Sequence, residues 1–303
     1  MPRVPHDQQL VVVSGASTGI GAATARTLAS YGYHVLAGVR TDAEAGAARG
    51  AGVEPVMLDV TDGDHIEALT ERIARDPKGR KLRALVNNAG IEINSPVEVQ
   101  PLAVWRQHFD VNLFGHVAVI KALLPALRRS GGTIVNITSV GGELALPIYG
   151  AYAATKFALE AVSDALRREV GPLGVRVVVV QPGGVRTEMA EHSGEISLAL
   201  AAKMSPEHKE IYGDLIASSV ASQTAFLRNA MPVEKAAAKI AKVATAARPR
   251  ARYTLGTDAA TVLPLARLLP AYVMDGILAA TRRMADSSGP LAGLPRPNRS
   301  STL

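Results

Sequence analysis

The stretch LVVVSGASTGIG, Leu10 to Gly21, sets the fold. Four apolar residues in succession, three of them valine, read as a strand buried on both faces, because β-branched side chains suit a pleated surface and no polar residue alternates with them. Ser14-Gly15-Ala16-Ser17-Thr18-Gly19-Ile20-Gly21 breaks the strand, and an Ala-rich helical segment runs on to about Ser30. Glycines at a strand-to-helix turn allow tight curvature and bring backbone N–H groups close to an anion at the helix N-terminus. The spacing is G-x3-G-x-G rather than the commoner G-x-G-x2-G, and a ligand-free βα turn satisfies it equally well.

The same alternation continues outward. Tyr33–Val39, Val53–Val60, Leu82–Gly90, Gly132–Val140 and Val175–Gly184 read as further strands. Helical segments lie near Ala43–Ala51, His65–Arg75, Ala103–Arg129 and Tyr149–Val170, and Arg250–Gly256 reads as a short edge strand. Near-continuous apolar strands alternating with helices specify an α/β fold, a doubly wound parallel sheet of Rossmann-like type covered on both faces. The expected organisation is a single domain over 1–285, with a substrate-covering region at about 188–231 and a helical C-terminal extension at about 258–284. Residues 286–303, rich in Pro, Gly and Ser, are expected to be disordered.

Composition removes several function classes. The chain has 303 residues, 48% apolar and 20% charged, ordinary for a globular protein with a sizeable core. Absence of cysteine excludes disulfides and thiolate chemistry and suits a reducing compartment. The opening MPRVPHDQQ lacks the apolar stretch of a secretory signal, and no uninterrupted apolar run of about 18 residues occurs. A cytoplasmic protein with at most peripheral membrane contact is therefore expected. The net charge of +6 is concentrated at one end: Arg248–Leu303 holds eight Arg, no Lys and three Asp. A basic tail on a near-neutral body is not a groove-reading footprint, so no nucleic-acid partner is expected. The seven His form no H-x3-H or His/carboxylate cluster, so no metal site is expected, and His34, His108, His116 and His192 read as structural or solvated. No G-x-S-x-G elbow surrounds Ser139, which argues against an α/β-hydrolase.

Gly15-x3-Gly19-Ile20-Gly21, Asn87-Asn88-Ala89-Gly90, Asn112, Ser139, Tyr152-x3-Lys156 and Pro182-Gly183 occur in one order along residues 10–190. In that order the chain resembles the short-chain dehydrogenases/reductases. YHVLAGVRT, LDVT and TSVGG followed by YAATKFALEA are most similar to the retinol and hydroxysteroid dehydrogenase branch. The resemblance implies a nicotinamide dinucleotide on the glycine turn (Gly15, Ser17, Thr18, Gly19, Ile20, Gly21). It implies an adenine-side contact at Asp59 and Val60, a ribose-side contact at Asn88, Ala89 and Gly90, and a segment over the nicotinamide formed by Pro182, Gly183, Val185 and Thr187. It also implies a homo-oligomer, paired through the helices that carry Asn112 and Tyr152.

A carboxylate ending the second strand would bind ribose hydroxyls and repel a 2′-phosphate. In this chain the equivalent place falls at Val39, followed by Arg40, whose forked donors suit a phosphate, so NADP(H) is the expected cofactor. The nearest downstream acid is Asp42, two residues past Arg40.

Reduction of a ketone needs a proton donor at the developing alkoxide, and tyrosine, with an ordinary pKa near 10, needs a neighbouring cation to cycle at neutral pH. Tyr152 and Lys156, spaced i, i+4, share a helix face. The resemblance implies that Lys156 also binds the nicotinamide ribose, that Ser139 positions the carbonyl oxygen, and that Asn112 kinks the long helix and holds a relay water. Tyr149 has Ala153 as its i+4 partner and reads as a decoy.

Past Thr187 the motifs stop. Ile196, Leu198, Leu200, Met204, Ile216 and Phe226 are the expected apolar pocket walls. Leu263, Ala266, Leu269, Val273 and Ile277 make an apolar stripe in the extension, with Arg267, Arg282 and Arg283 expected toward solvent or headgroups. The expected activity is NADP(H)-dependent interconversion of a secondary alcohol and ketone on a bulky apolar molecule of steroid, retinoid or lipid kind. The alternatives are a reductase of a small polar carbonyl or sugar, and a non-catalytic NADP-sensing or interaction protein.

Overall fold

The computed structural model describes residues 9–288. Seven parallel strands form one sheet in the order β3-β2-β1-β4-β5-β6-β7. In chain order they are β1 (Gln9–Val13), β2 (His34–Val39), β3 (Val53–Met57), β4 (Lys81–Asn87), β5 (Thr133–Ile137), β6 (Arg176–Pro182) and β7 (Arg252–Leu255). The winding reverses between β1 and β4, which pair in register Val11↔Ala84 through Val13↔Val86. A doubly wound sheet opens a cleft at that switch point, beyond the carboxyl ends of its strands.

Helices cover both faces: α1 (Gly19–Ser30), α2 (Asp42–Ala48), α3 (Gly63–Ala74), α4 (Leu102–Phe109), α5 (His116–Ser130) and α6 (Gly150–Val170). On one face Leu69, Leu85, Leu123, Leu127 and Ile134 interlock; on the other Val11, Leu28, Val86, Val180 and Ile240 do so. α4 and α5 form one long rod, as the sequence suggests, but it is interrupted by a π turn over Asp110–Gly115 that carries Asn112.

The later chain departs further from expectation. α9 (Val233–Thr245), absent from the sequence reading, packs against α1 and the β4–β5 face with Ala236, Ile240 and Ala244 completely buried. Truncating Ile240 to alanine would cost on the order of 2–5 kcal/mol. The region 188–231 is a helix pair, α7 (Glu188–Ala202) and α8 (Pro206–Arg228). Thr187 and Ser205 cap them by accepting from the N–H groups of Ala190 and His208. The C-terminal extension is two helices, α10 (Thr257–Leu268) and α11 (Ala271–Ser288), broken at Leu269-Pro270. α11 runs past the expected helix end at about 284 and into the segment 286–303 expected to be disordered; the rest of that segment, 289–303, lies outside the described residues.

Arg267 does not project freely into solvent. Its guanidinium makes a two-pronged contact with Glu143 at 2.6 Å. Of the stripe on α10 and α11, Leu263 is buried and Leu269 and Val273 half-buried, while Ile277 is exposed at its cavity-side position.

Candidate active site

A cavity of about 1860 Å³ opens at the switch point. That exceeds the roughly 300–1,000 Å³ of a site for one drug-sized ligand and leaves room for a dinucleotide together with a second molecule. Gly15, Ser17, Thr18, Gly19, Ile20, Arg40, Asp59, Val60, Asn88, Ala89, Gly90, Ser139, Tyr152, Lys156, Pro182, Gly183, Val185 and Thr187 all line it. Gly21 and Asn112 do not; both are buried behind the wall.

The glycine turn fits a dinucleotide for reasons visible in its packing. Gly15 has φ +60°, and a Cβ on Gly21 would lie 2.1 Å from the Gly15 carbonyl oxygen and 2.5 Å from Asn88 Nδ2. Asn88 Nδ2 donates to the carbonyls of Ser14 and Gly15 at 3.1 and 3.0 Å, and Ser14 Oγ accepts from the N–H groups of Asn88 and Ala89. The side-chain amide of Asn88 is thus committed to holding the turn, and its contribution to the cavity is the surface that remains. Burial pushes the Asp59 carboxyl upward, but two hydrogen bonds from Thr61 together with the nearby charges of Arg40 and His65 outweigh it and hold the group below the ordinary aspartate range.

At the end of β2, Val39 is buried and does not line the cavity, whereas Arg40 does. Asp42 begins α2, and the acid that reaches back is Glu44, overlooked in the sequence. Its Oε2 accepts the Arg40 N–H at 2.7 Å, and its Oε1 lies 3.8 Å from the Arg40 guanidinium.

The catalytic candidates converge on one wall. Ser139 follows β5 and caps a short 3-10 turn, its Oγ accepting the Gly141 N–H at 3.0 Å. Lys156, buried in α6, donates from Nζ to the Ile137 carbonyl at 3.0 Å and lies 5.6 Å from the centroid of the Tyr152 ring. Burial pushes the Tyr152 phenol well above 10, the charge of Glu92 adds to this, and a hydrogen bond with Ser139 opposes it. Burial also pulls Lys156 down to about 8, with Glu92 and Glu160 opposing. In the protein alone burial dominates over the neighbouring Lys156, and Tyr152 is held as a neutral phenol.

Asn112 is held by protein partners on both sides. Its Oδ1 accepts the Ile91 N–H at 2.8 Å, and its Nδ2 donates to the Ile91 carbonyl at 2.9 Å and to Thr155 Oγ1 at 3.3 Å. The π turn aims this side chain across the rod, so Asn112 ties the segment after β4 to α6.

Tyr149 also lines the cavity and stacks edge-on against Tyr152 at a centroid distance of 6.4 Å, so its position is closer to the chemistry than a decoy implies. It follows Ile148, which is buried, has φ 66°, and accepts the Ser95 N–H at 3.0 Å. His108 and His116 are buried and hydrogen-bonded to backbone groups, and burial draws His116 down to about 3; His34 pairs with Glu54 at 2.7 Å. His192 is exposed and lines the cavity.

The substrate side differs most from the sequence reading. Of its six expected walls only Phe226 lines the cavity. Ile216 is in the core between helices, and Ile196 and Leu198 face outward, 40% and 47% exposed. The apolar wall comes instead from Leu144, Leu146, Met189, Val262, Leu265 and Met274, so both C-terminal helices enclose the site.

A switch-point cavity with a glycine-turn anion site at one end and a Ser–Tyr–Lys cluster at the other defines a nucleotide-dependent oxidoreductase. The chain belongs to the short-chain dehydrogenases: that family's pattern, "short chain dehydrogenase", matches residues 9–196. Members act on CH–OH groups with a nicotinamide cofactor. Retinol dehydrogenase 7 of Mus musculus is 35% identical over 289 residues, covering 91% of this chain and 89% of the relative. Estradiol 17-beta-dehydrogenase 2 of Mus musculus is 37% identical over 193 residues, covering 61% of this chain and 50% of the relative. A short-chain dehydrogenase from Streptomyces avermitilis superimposes with TM-score 0.71 at 28% identity, covering 93% of this chain and 98% of that structure.

Proposed function

We propose that the chain interconverts a secondary alcohol and a ketone on a bulky, largely apolar substrate, with NADP(H) as cofactor. The observation that carries this reading is the meeting of Tyr152, Ser139 and Lys156 with an apolar wall built by α10 and α11 in a single cavity. Relatives named for retinol and estradiol point to the same substrate class. The phosphorylated cofactor is favoured because Arg40 lines the cavity while no carboxylate of the β2–α2 connection does.

A nicotinamide cofactor bound there supplies or accepts the hydride. Ser139 and the Tyr152 hydroxyl together hold the carbonyl oxygen, and Tyr152 donates its proton as negative charge develops on that oxygen. Lys156 stabilises the resulting tyrosinate by its charge, and its fixed hydrogen bond to the Ile137 carbonyl keeps the ammonium in place. The enclosing helices exclude water and bury the apolar body of the substrate.

The test is NADPH oxidation against a panel of ketones, with wild type beside Tyr152→Phe. Turnover of bulky apolar ketones and its loss, by about 10²–10⁴-fold, in the variant with nucleotide affinity retained is expected. Most of the activity surviving in Tyr152→Phe would remove the tyrosine from the chemistry.

A further inference from the structure

Glu92 takes no part in the machinery above, yet its side chain lines the same cavity, two residues beyond the Asn88-Ala89-Gly90 turn. It is close enough to Lys156, Tyr152 and Tyr149 to interact with each electrostatically. Two buried side chains position it. Asn94 Nδ2 donates to Glu92 Oε1 at 2.9 Å, and the Ser193 hydroxyl on α7 makes a second hydrogen bond. Ser193 Oγ in turn accepts from Gln223 Nε2 on α8 at 2.6 Å.

Burial raises the Glu92 carboxyl above the ordinary glutamate range, against the hydrogen bonds of Asn94 and Ser193 and the charge of Lys156. Ionised, the group offers about four acceptor positions, and these contacts use two. Glu92 is half-buried and belongs to the cavity lining, so it is a polar group within reach of a bound substrate. Leaving such a group against a purely apolar ligand is costly, because a buried acceptor without a donor forfeits its hydration. A latch between the loop and α7 would need no cavity-facing surface at all.

We propose that Glu92 determines specificity by receiving a hydroxyl group of the substrate, carried on a carbon near the reacting one, so that the preferred substrates are otherwise apolar hydroxyketones and the matching diols. This inference rests on the alcohol/ketone reading and refines its substrate class. Tyr152 and Ser139 engage the reacting oxygen, Glu92 engages the neighbouring hydroxyl, and the wall of α10 and α11 takes the apolar body. Sites that hydrogen-bond a substrate hydroxyl discriminate strongly against the analogue without it, whereas apolar contacts alone do not.

Benzoin and deoxybenzoin form a suitable pair, equal in bulk and differing by one hydroxyl beside the ketone. Wild type is expected to favour benzoin by about 10–100-fold in kcat/KM, the range for a hydrogen bond to a charged group. Glu92→Leu should bring the ratio to near unity, and Glu92→Gln, which keeps an acceptor, should retain part of it. A second arm needs no turnover: calorimetric titration of hydrobenzoin and of bibenzyl into the NADPH-saturated protein, in which an alcohol has no hydride acceptor and the diol should bind more tightly in wild type alone. Wild type that turns over both ketones at equal efficiency would overturn the inference, as would a ratio unchanged in Glu92→Leu or an equal loss on both ketones. Diol-selective binding without turnover of any ketone would instead sink the proposed activity and leave the role of Glu92 standing. Should Glu92→Leu fail to fold, the wild-type ratio and Glu92→Gln decide.

Discussion

Asp258 accepts the backbone N–H of Gly184 at 2.8 Å, tying the first turn of α10 to the segment that follows β6. The carboxylate fills the space where a side chain at residue 183 would stand, since a Cβ on Gly183 would lie 2.0 Å from Asp258 Oδ2. The C-terminal extension is therefore joined by a charged hydrogen bond to the strip of chain proposed to cover the nicotinamide.

Asp258→Ala should weaken nucleotide binding by about 10–100-fold, the equivalent of roughly 1.5–3 kcal/mol for a lost hydrogen bond to a charged group. Fluorescence titration with NADPH measures it. An unchanged Kd would show that the strip keeps its position without the carboxylate.

Truncation before Thr257 removes this contact, the Arg267–Glu143 pair and the apolar wall supplied by Val262, Leu265 and Met274. KM for bulky ketones is expected to rise more than KM for small ones, and the melting temperature to fall. A purely supporting role would lower stability with the size preference preserved.

Cofactor choice is tested at Arg40 and Glu44. Arg40→Ala should reduce the preference for NADPH over NADH by about 10-fold, one guanidinium–phosphate contact at an exposed position. Glu44→Gln removes the acid that competes for the guanidinium and should strengthen the preference. Titration of both nucleotides into each variant gives the result, and a wild type that binds the two equally excludes Arg40 from the site.

The nucleotide-free protein should become more stable as pH rises from about 8 toward 10. Burial holds Lys156 at about 8 against an ordinary 10.5, so within that window the unfolded chain binds a proton that the folded one has released. The penalty is present in full below pH 8 and is lifted above it. Tyr152 acts in the opposite sense only above about 10, where the unfolded phenol ionises and the buried one does not. Urea midpoints at pH 7, 8, 9 and 9.7 should climb in wild type and stay level in Lys156→Met.

The sheet was legible because valine-rich runs leave little choice: Leu10–Val13 and Val177–Val180 have no polar face to expose. Tyr152 and Lys156 were legible because helical spacing is local. What failed to show was set by docking. The cavity meets only the start of α7, through Glu188, Met189, Ala190 and His192, so Ile196, two turns further along nearly the same face as Met189, lies beyond it, and sequence does not show where along a helix a cavity ends. Arg267 finds Glu143 across 124 positions, a pairing no local pattern marks. α9 has a readable period in AAAKIAKVA, but its abundance of alanine and lysine disguises a core helix as a solvated one. Glu92 left one sign, an acid placed directly between two isoleucines beside a proposed ribose contact.

Ile148 bears on how such an enzyme can be altered. Among the described residues it alone, glycines aside, has a positive φ, and a β-branched side chain in that region carries roughly 1–3 kcal/mol of strain. The strained residue lies immediately before Tyr149 and four before Tyr152, so α6, which carries the proposed proton donor, starts from a cocked joint. Strain and burial meet at one position. Glycine there would relax the backbone yet empty a buried site at a cost of about 2–5 kcal/mol, so the side chain that bends the joint is also the one that wedges it in place.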